Sequence, residues 1–173
     1  MEILVKLLDI VVEFLLDILP FRIIKQTEHG VLLRVGKFKK RIEGGWLWKI
    51  PFFDEVMLCK NTITTLATDS QSLTTKDDKN IIVSAIIKYK VANPQKFLLE
   101  VADAVDAISD ITQGKIKQLM ANLTWEQIKD IKEAEIKDLA AKECVEWGIK
   151  IMYVTIVNLS QTRVYKIYNS NEH

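Results

Sequence analysis

The chain is poor in the side chains that carry most enzyme chemistry. Its 173 residues include only two histidines, two cysteines, three prolines and six glycines. His29 lies next to a glycine in a turn-like stretch, and His173 is the last residue, so a zinc site lacks ligands. Cys59 and Cys144 have no CxxC spacing. They read as small buried apolar side chains in a reducing compartment rather than as a disulfide framework. Ser70 and Ser72 have no histidine placed to activate them, and Asp77-Asp78 reads as solvated charge in a turn. There is no glycine-rich phosphate loop, so neither a nucleotide nor any other cofactor is expected. Formal net charge is only +1, which excludes a global attraction to polyanions. The basic run Lys37-Phe38-Lys39-Lys40-Arg41 lacks the interleaved aromatics of a nucleic-acid surface. These absences leave no active site in view, and a non-enzymatic protein is expected.

What the chain has in quantity is apolar surface, concentrated at its start. Residues 1–24 are almost wholly apolar, interrupted by Glu2, Lys6, Asp9, Glu13 and Asp17. At about 100° per residue these five charges fall on one narrow helical stripe. The remaining surface carries Ile3, Leu4, Leu7, Leu8, Val11, Phe14, Leu15, Ile18, Leu19 and Phe21. A signal peptide is excluded by the lack of a basic start and of a small-residue cleavage site. A lone spanning helix is disfavoured, because each mid-segment charge costs about 2.5–3.5 kcal/mol on insertion scales. The helix can instead lie in the membrane interface with its stripe toward water. It can also pack with other copies through Lys6, Asp9, Glu13 and Asp17. A helix buried against its own domain is the plainer reading. Pro20 ends the helix.

From Arg22 to Lys60 there are nine Lys/Arg and four Asp/Glu, a local excess that suits an anionic bilayer surface. Two short strands, 23–27 and 31–35, are expected as a hairpin around Glu28-His29-Gly30. The basic run is expected as a loop. Trp46-Leu47-Trp48-Lys49-Ile50-Pro51-Phe52-Phe53 reads either as a second membrane contact, led by Trp46 and Trp48, or as a core corner. Strands are expected over 54–66, 70–75 and 81–91, with Ile81, Val83, Ala85, Ile87, Tyr89 and Val91 facing the core. Helices follow at 94–101 and 103–121. A third, opened by the capping box Thr124-Trp125-Glu126-Gln127, is expected to run to Trp147. Gly148 then stops the helix, and a final strand covers 149–159. The order is α+β: an antiparallel β part, then a mixed sheet packed with helices. The last strand is expected parallel, or nearly so, to 81–91.

Five segments in this order resemble one family. Gln26-Thr27-Glu28-His29-Gly30-Val31 with Arg34-Val35-Gly36 resembles the opening motif of the stomatin–prohibitin–flotillin group, the SPFH or Band 7 domain. Gly44 to Val56, Thr74 to Lys79, Tyr89-Lys90-Val91-Ala92-Asn93-Pro94 and Trp147-Gly148-Ile149 resemble its later motifs. Gly45 stands where the family has proline, and Trp46 and Trp48 are bulkier than usual. No heptad run follows the last strand, so a minimal member without the family's long coiled coil is expected. The resemblance implies an anchor at 1–21, an SPFH domain at 22–161 (β-rich to about 75) and a tail at 162–173. It further implies a homo-oligomeric ring or cage that organises a membrane patch, on the cytoplasmic side by the positive-inside tendency. Membrane lipid and membrane proteins such as a protease or channel are the implied partners. A regulator restraining a membrane protease, or a soluble oligomer bundled through its N-terminal helices, are the alternatives.

Overall fold

The computed structural model describes residues 19–162, together with Val5 and Lys6. Within these the chain forms β1 (Phe21–Ile24), β2 (Glu28–Arg34), β3 (Lys37–Ile42), β4 (Gly45–Trp48), β5 (Asp54–Lys60), β6 (Thr64–Ala67), β7 (Gln71–Thr74) and β8 (Asn80–Val91). Then come α1 (Pro94–Leu99), α2 (Ala104–Met120), α3 (Trp125–Lys129), α4 (Glu133–Cys144), a 3₁₀ turn (Val145–Trp147) and β9 (Ile149–Thr162). The α+β order expected from the sequence is present. Among the described residues no helix is long and apolar enough to cross a membrane. Of the expected anchor and stripe, residues 1–4 and 7–18 lie outside the described residues, as does the tail beyond 162.

β8 organises the larger core. Its alternate residues Ile81, Val83, Ala85, Ile87, Tyr89 and Val91 are buried, as the period-2 pattern requires. They pack with Ile108, Ile116 and Met120 of α2, Ile136, Ala140 and Cys144 of α4, and Ile149, Ile151 and Val154 of β9. β6 and β7 pair with the two halves of one β8 edge. Thr68 bridges the gap between them: its hydroxyl accepts from the Ala85 N–H, and its N–H donates to the Ala85 carbonyl at 2.8 Å. The whole opposite edge belongs to β9.

β9 runs antiparallel to β8, not parallel. The right-handed crossover rule governs strands already parallel, and this helical connection returns the chain to the end of the sheet it left. The Ala92 and Asn93 N–H groups both donate to the Gly148 carbonyl, at 2.8 and 2.9 Å. Asn93 caps α1, accepting from the Gln95 and Lys96 N–H groups. The expected long third helix is instead two. The Thr124 capping box forms, but α3 ends by Asp130 and α4 starts at Glu133. Glu133 does not pair with Lys137; its carboxylate accepts from the Ile156 N–H of β9 at 2.9 Å.

The smaller core holds Ile24, Leu32, Ile42 and Leu47, with Val56 and Leu58 packed on it. β2 lies at the centre of a β3-β2-β5 sheet. The expected hairpin around Gly30 does not form. β1 pairs with β4, and His29 and Gly30 lie inside β2. The run His29 to Leu33 is buried throughout, so β2 starts earlier than a one-faced alternation suggests. The basic run is strand β3, not a loop. Its lysines lie exposed on an edge, where charge discourages further strand pairing. The expected strand 54–66 breaks at Asn61, whose N–H donates to the Thr27 carbonyl at 2.7 Å, and β6 joins the other sheet.

Asp77 is exposed in its turn, as expected, but it is also tied down. It accepts from the Thr75 hydroxyl at 2.7 Å and from the Trp125 N–H at 3.0 Å, and it pairs with Lys79. The hairpin before β8 is thereby tied to the start of α3.

Gly30 faces β5 so closely that a Cβ there would collide with the Met57 carbonyl oxygen, a backbone atom. Gly30→Ala is expected to destabilise the chain at or above the top of the about 1–3 kcal/mol range typical of overpacking. Chemical denaturation measures it, and a loss below about 0.5 kcal/mol, the size of an ordinary surface change, contradicts the close approach.

Candidate membrane-contact surface

The β1–β4 pair has an inverted pattern. Ile24 and Leu47 point into the smaller core. The other face carries Phe21 opposite Trp48 and Ile23 opposite Trp46. On a solvated face these positions are normally polar. Here Ile23, Trp46 and Trp48 are 70%, 65% and 64% exposed. Phe21 stacks on Trp46, ring centroids 4.7 Å apart.

Two neighbouring turns extend this face. Val35 lies between β2 and β3, and Phe52 and Phe53 lie between β4 and β5. Because β2 and β5 are antiparallel and Arg34 faces Asp54, the two turns meet at one end of the sheet. The Val35 N–H donates to the Phe53 carbonyl at 2.8 Å and joins them. Phe52 is 85% exposed. Val35 and Phe53 are also exposed, with Phe38 and Ile50 half open beside them. The Lys49 N–H donates to the Pro20 carbonyl at 2.8 Å, so the N-terminal segment enters at this same end. The result is one aromatic tip flanked by β3's lysines. Solvent-exposed apolar groups on this scale usually mark a partner or a membrane, and tryptophan favours the bilayer interface.

The tip rests on Asp54, whose side chain is fully buried. Arg34 donates to it through Nε at 2.7 Å and Nη2 at 2.9 Å. The Ile50 N–H donates to it at 2.8 Å. The Arg34 fork, assisted by the Ile50 N–H and the charge of Lys39, outweighs burial and holds the carboxyl at about 2.

Trp46, Trp48 and Phe21 therefore come together, and Leu19 is exposed at the entry of the same end. Lys6 is exposed in a helical turn. The other expected contacts, Ile3, Leu4, Leu7, Leu8, Val11, Phe14, Leu15 and Ile18, and the stripe residues Asp9, Glu13 and Asp17, lie outside the described residues. The core-corner reading holds for Val56, which packs on the smaller core, but not for Ile50 or Phe52. Sequence reasoning missed Ile23, Val35 and Phe38 as members of this surface. Ile23 was legible, since alternation with buried Ile24 turns it outward. Val35 was not, because it adopts a left-handed backbone (φ 51°) that a β-branched side chain disfavours, and Phe38 was not, because the basic run around it reads as a loop.

Asp54 and Asp77 both take up protons only near pH 2 in the folded chain, against an ordinary 3.8. The unfolded chain binds these protons first as pH falls. Their stabilisation is complete above about pH 4 and is lost between there and pH 2. Asp54→Asn is expected to lower Tm at pH 7 and to flatten the Tm loss between pH 4 and pH 2. Parallel Tm–pH curves for the two proteins in that window contradict the assignment.

Comparison with known proteins places this architecture. The model of the SPFH domain / Band 7 family matches residues 22–167. An uncharacterized protein of Archaeoglobus fulgidus is 28% identical over 155 residues, covering 88% of this chain and 61% of that protein. An uncharacterized protein of Methanothermobacter thermautotrophicus is 24% identical over 156 residues, covering 87% of this chain and 49% of its own. The "Modulator of FtsH protease HflK" of Escherichia coli is 31% identical over 108 residues, 62% of this chain and 26% of that protein. The chain thus spans from about a quarter to three-fifths of these relatives' lengths. With the family's model matching nearly all of the chain after the N-terminal segment, the protein belongs to the SPFH domain / Band 7 family.

Proposed function

We propose that this protein is a non-enzymatic scaffold that attaches to a membrane, assembles as a homo-oligomeric ring or cage, and organises the membrane patch or membrane proteins beneath it. The observation that carries the reading is the meeting of the aromatic tip with the chain's entry at Pro20. The N-terminal helix, with Ile3, Leu4, Leu7, Leu8, Val11, Phe14, Leu15, Ile18, Leu19 and Phe21 as lipid contacts, and the tip, with Trp46 and Trp48, then engage one bilayer surface together. Two weak attachments on one rigid body reinforce each other through effective concentration, and oligomerisation multiplies them. The exposed lysines of β3 add attraction to anionic headgroups. By the positive-inside tendency the SPFH domain at 22–161 faces the cytoplasm. Between copies, Lys6 of one helix meets Asp9, Glu13 or Asp17 of the next.

The relative named as a modulator of FtsH protease favours one specific form of this role, in which the organised membrane protein is a protease that the assembly restrains.

Flotation with anionic liposomes tests the attachment. Trp46→Ser, Trp48→Ser and Phe52→Ser combined are expected to weaken binding at least about tenfold, ~1.4 kcal/mol. A chain beginning at Phe21 is expected to lose most of the rest. Equal flotation of all three proteins sinks the reading. For assembly, Lys6→Glu is expected to lower the oligomer mass seen by native mass spectrometry, and an unchanged mass counts against pairing of the stripes.

A further inference from the structure

At the end of the β-rich part remote from the aromatic tip lies a cleft of about 620 Å³. Gln26 of the β1–β2 turn, His29 of β2, Glu43 after β3 and Asn61 after β5 form one wall. Lys90 at the end of β8 and Lys150 at the start of β9 form the other.

The two lysines stand directly opposite each other in the ladder. Their Cβ atoms are therefore roughly 4.5–5.5 Å apart on the same face of the sheet, and like charges so placed repel. Among the described residues no ion pair engages either of them. Glu43 lines the cleft but forms no salt bridge with them. On the facing wall His29 is only 7% exposed, and its Nε2 has no hydrogen-bond partner among the described residues. A buried polar atom without a partner is rare and costly. Burial, and next the charge of Lys90, push the His29 pKa down, with Glu43 opposing.

We propose that this cleft is a binding site for the phosphate group of a soluble ligand, seated between Lys90 and Lys150 with the Gln26 and Asn61 amides and the His29 ring around it. Phosphate fits better than a lone carboxylate because it carries about −1.5 to −2 charges at neutral pH, enough to face two ammonium groups. Lysine binds it as a point charge without needing a planar partner. The source is soluble rather than a lipid headgroup because of the distance between the two ends. β5 runs from Asp54 at the tip to Lys60 beside the cleft, on the order of 20 Å. A cleft that far from the tip stands clear of headgroups that the tip engages. This choice of source, unlike the binding itself, rests on the tip meeting the membrane.

Calorimetric titration of the full chain with pyrophosphate and with inorganic phosphate, at constant ionic strength, tests the proposal. Saturable one-to-one binding is expected. Lys90→Gln and Lys150→Gln should each weaken it about tenfold or more, and Lys49→Gln at the tip should leave it unchanged. Without ligand at low salt, Lys150→Gln is expected to match or exceed the native Tm, because the repulsion is relieved. Non-saturable heat, or equal binding by the double variant Lys90→Gln/Lys150→Gln, overturns the site. On phosphatidic acid vesicles that double variant should float like the native chain. If it fails to float while the native chain binds no pyrophosphate, the ligand is a lipid headgroup and the soluble source is wrong. Loss of flotation in tip variants that still bind pyrophosphate leaves the cleft site standing.

Discussion

The fold depends on β8 being paired on both edges and buried on one face. Its twelve residues pair along their full length with β9 on one side, and on the other residues 80–83 pair with β7 and 86–89 with β6, Thr68 bridging at Ala85. A central strand so committed leaves its backbone groups few alternative partners. The helices must then cover its apolar face, and the chain must return beside the point where it left. Gly148 makes that return possible. Its φ of 73° is open to glycine without steric cost, and a Cβ there would stand 2.5 Å from the Asn93 carbonyl oxygen. Its own carbonyl meanwhile receives two N–H groups from the end of β8. The tight exit and entry are also what set Lys90 against Lys150.

The β-rich part is held by a different device. β2 is buried on both faces, so its register is fixed twice, once by the smaller core and once by the helical side, where α1 lies against it. Fixing β2 fixes Arg34, and Arg34 fixes Asp54. From Asp54 the constraint passes to the Ile50 N–H and through Val35 to Phe53. A few polar bonds around one covered carboxylate thereby position the turns that carry several exposed aromatic rings. Burial of the carboxylate strengthens these bonds and makes loss of either partner costly.

Much of this was legible in the sequence because it rests on local pattern. The alternation in 81–91, the Asn93-Pro94 helix start, the capping box at Thr124 and the stop at Gly148 each carry their own stereochemistry. What was not legible depended on partners remote in sequence. Gly30 resembles a turn glycine until β5 is brought against it. Lys37 to Arg41 resembles a loop until an edge needs charge. The α3–α4 break and the direction of β9 follow from how helices fill one face of the sheet, which no window of residues encodes. Asp77 is surface charge, and its second role, accepting from the start of α3, is hidden because that partner lies 48 residues away. Of the aromatic tip, Trp46 and Trp48 stood out by composition. Val35 joined them through the turn geometry of the β2–β3 hairpin, and Phe38 through strand register.

The tip also carries a cost that argues for a purpose. A non-glycine residue in the left-handed region gives up on the order of 1–2 kcal/mol, and Val35 and Phe52 both adopt it. Val35 is β-branched, for which the conformation is least favourable. Neither side chain gains burial in exchange, since both are exposed. Glycine at either position would relieve the strain without disturbing a core. The two-residue turn between paired Arg34 and Lys37 itself demands a positive φ at Val35 and Gly36; what it does not demand is an exposed branched side chain there, which fits the proposed outward contact. In the proposed attachment, the interfacial region of a bilayer would return the cost by removing the apolar groups from water. It does so only if the two turns stay side by side, which is the geometry that the Val35–Phe53 bond and the Asp54 carboxylate maintain.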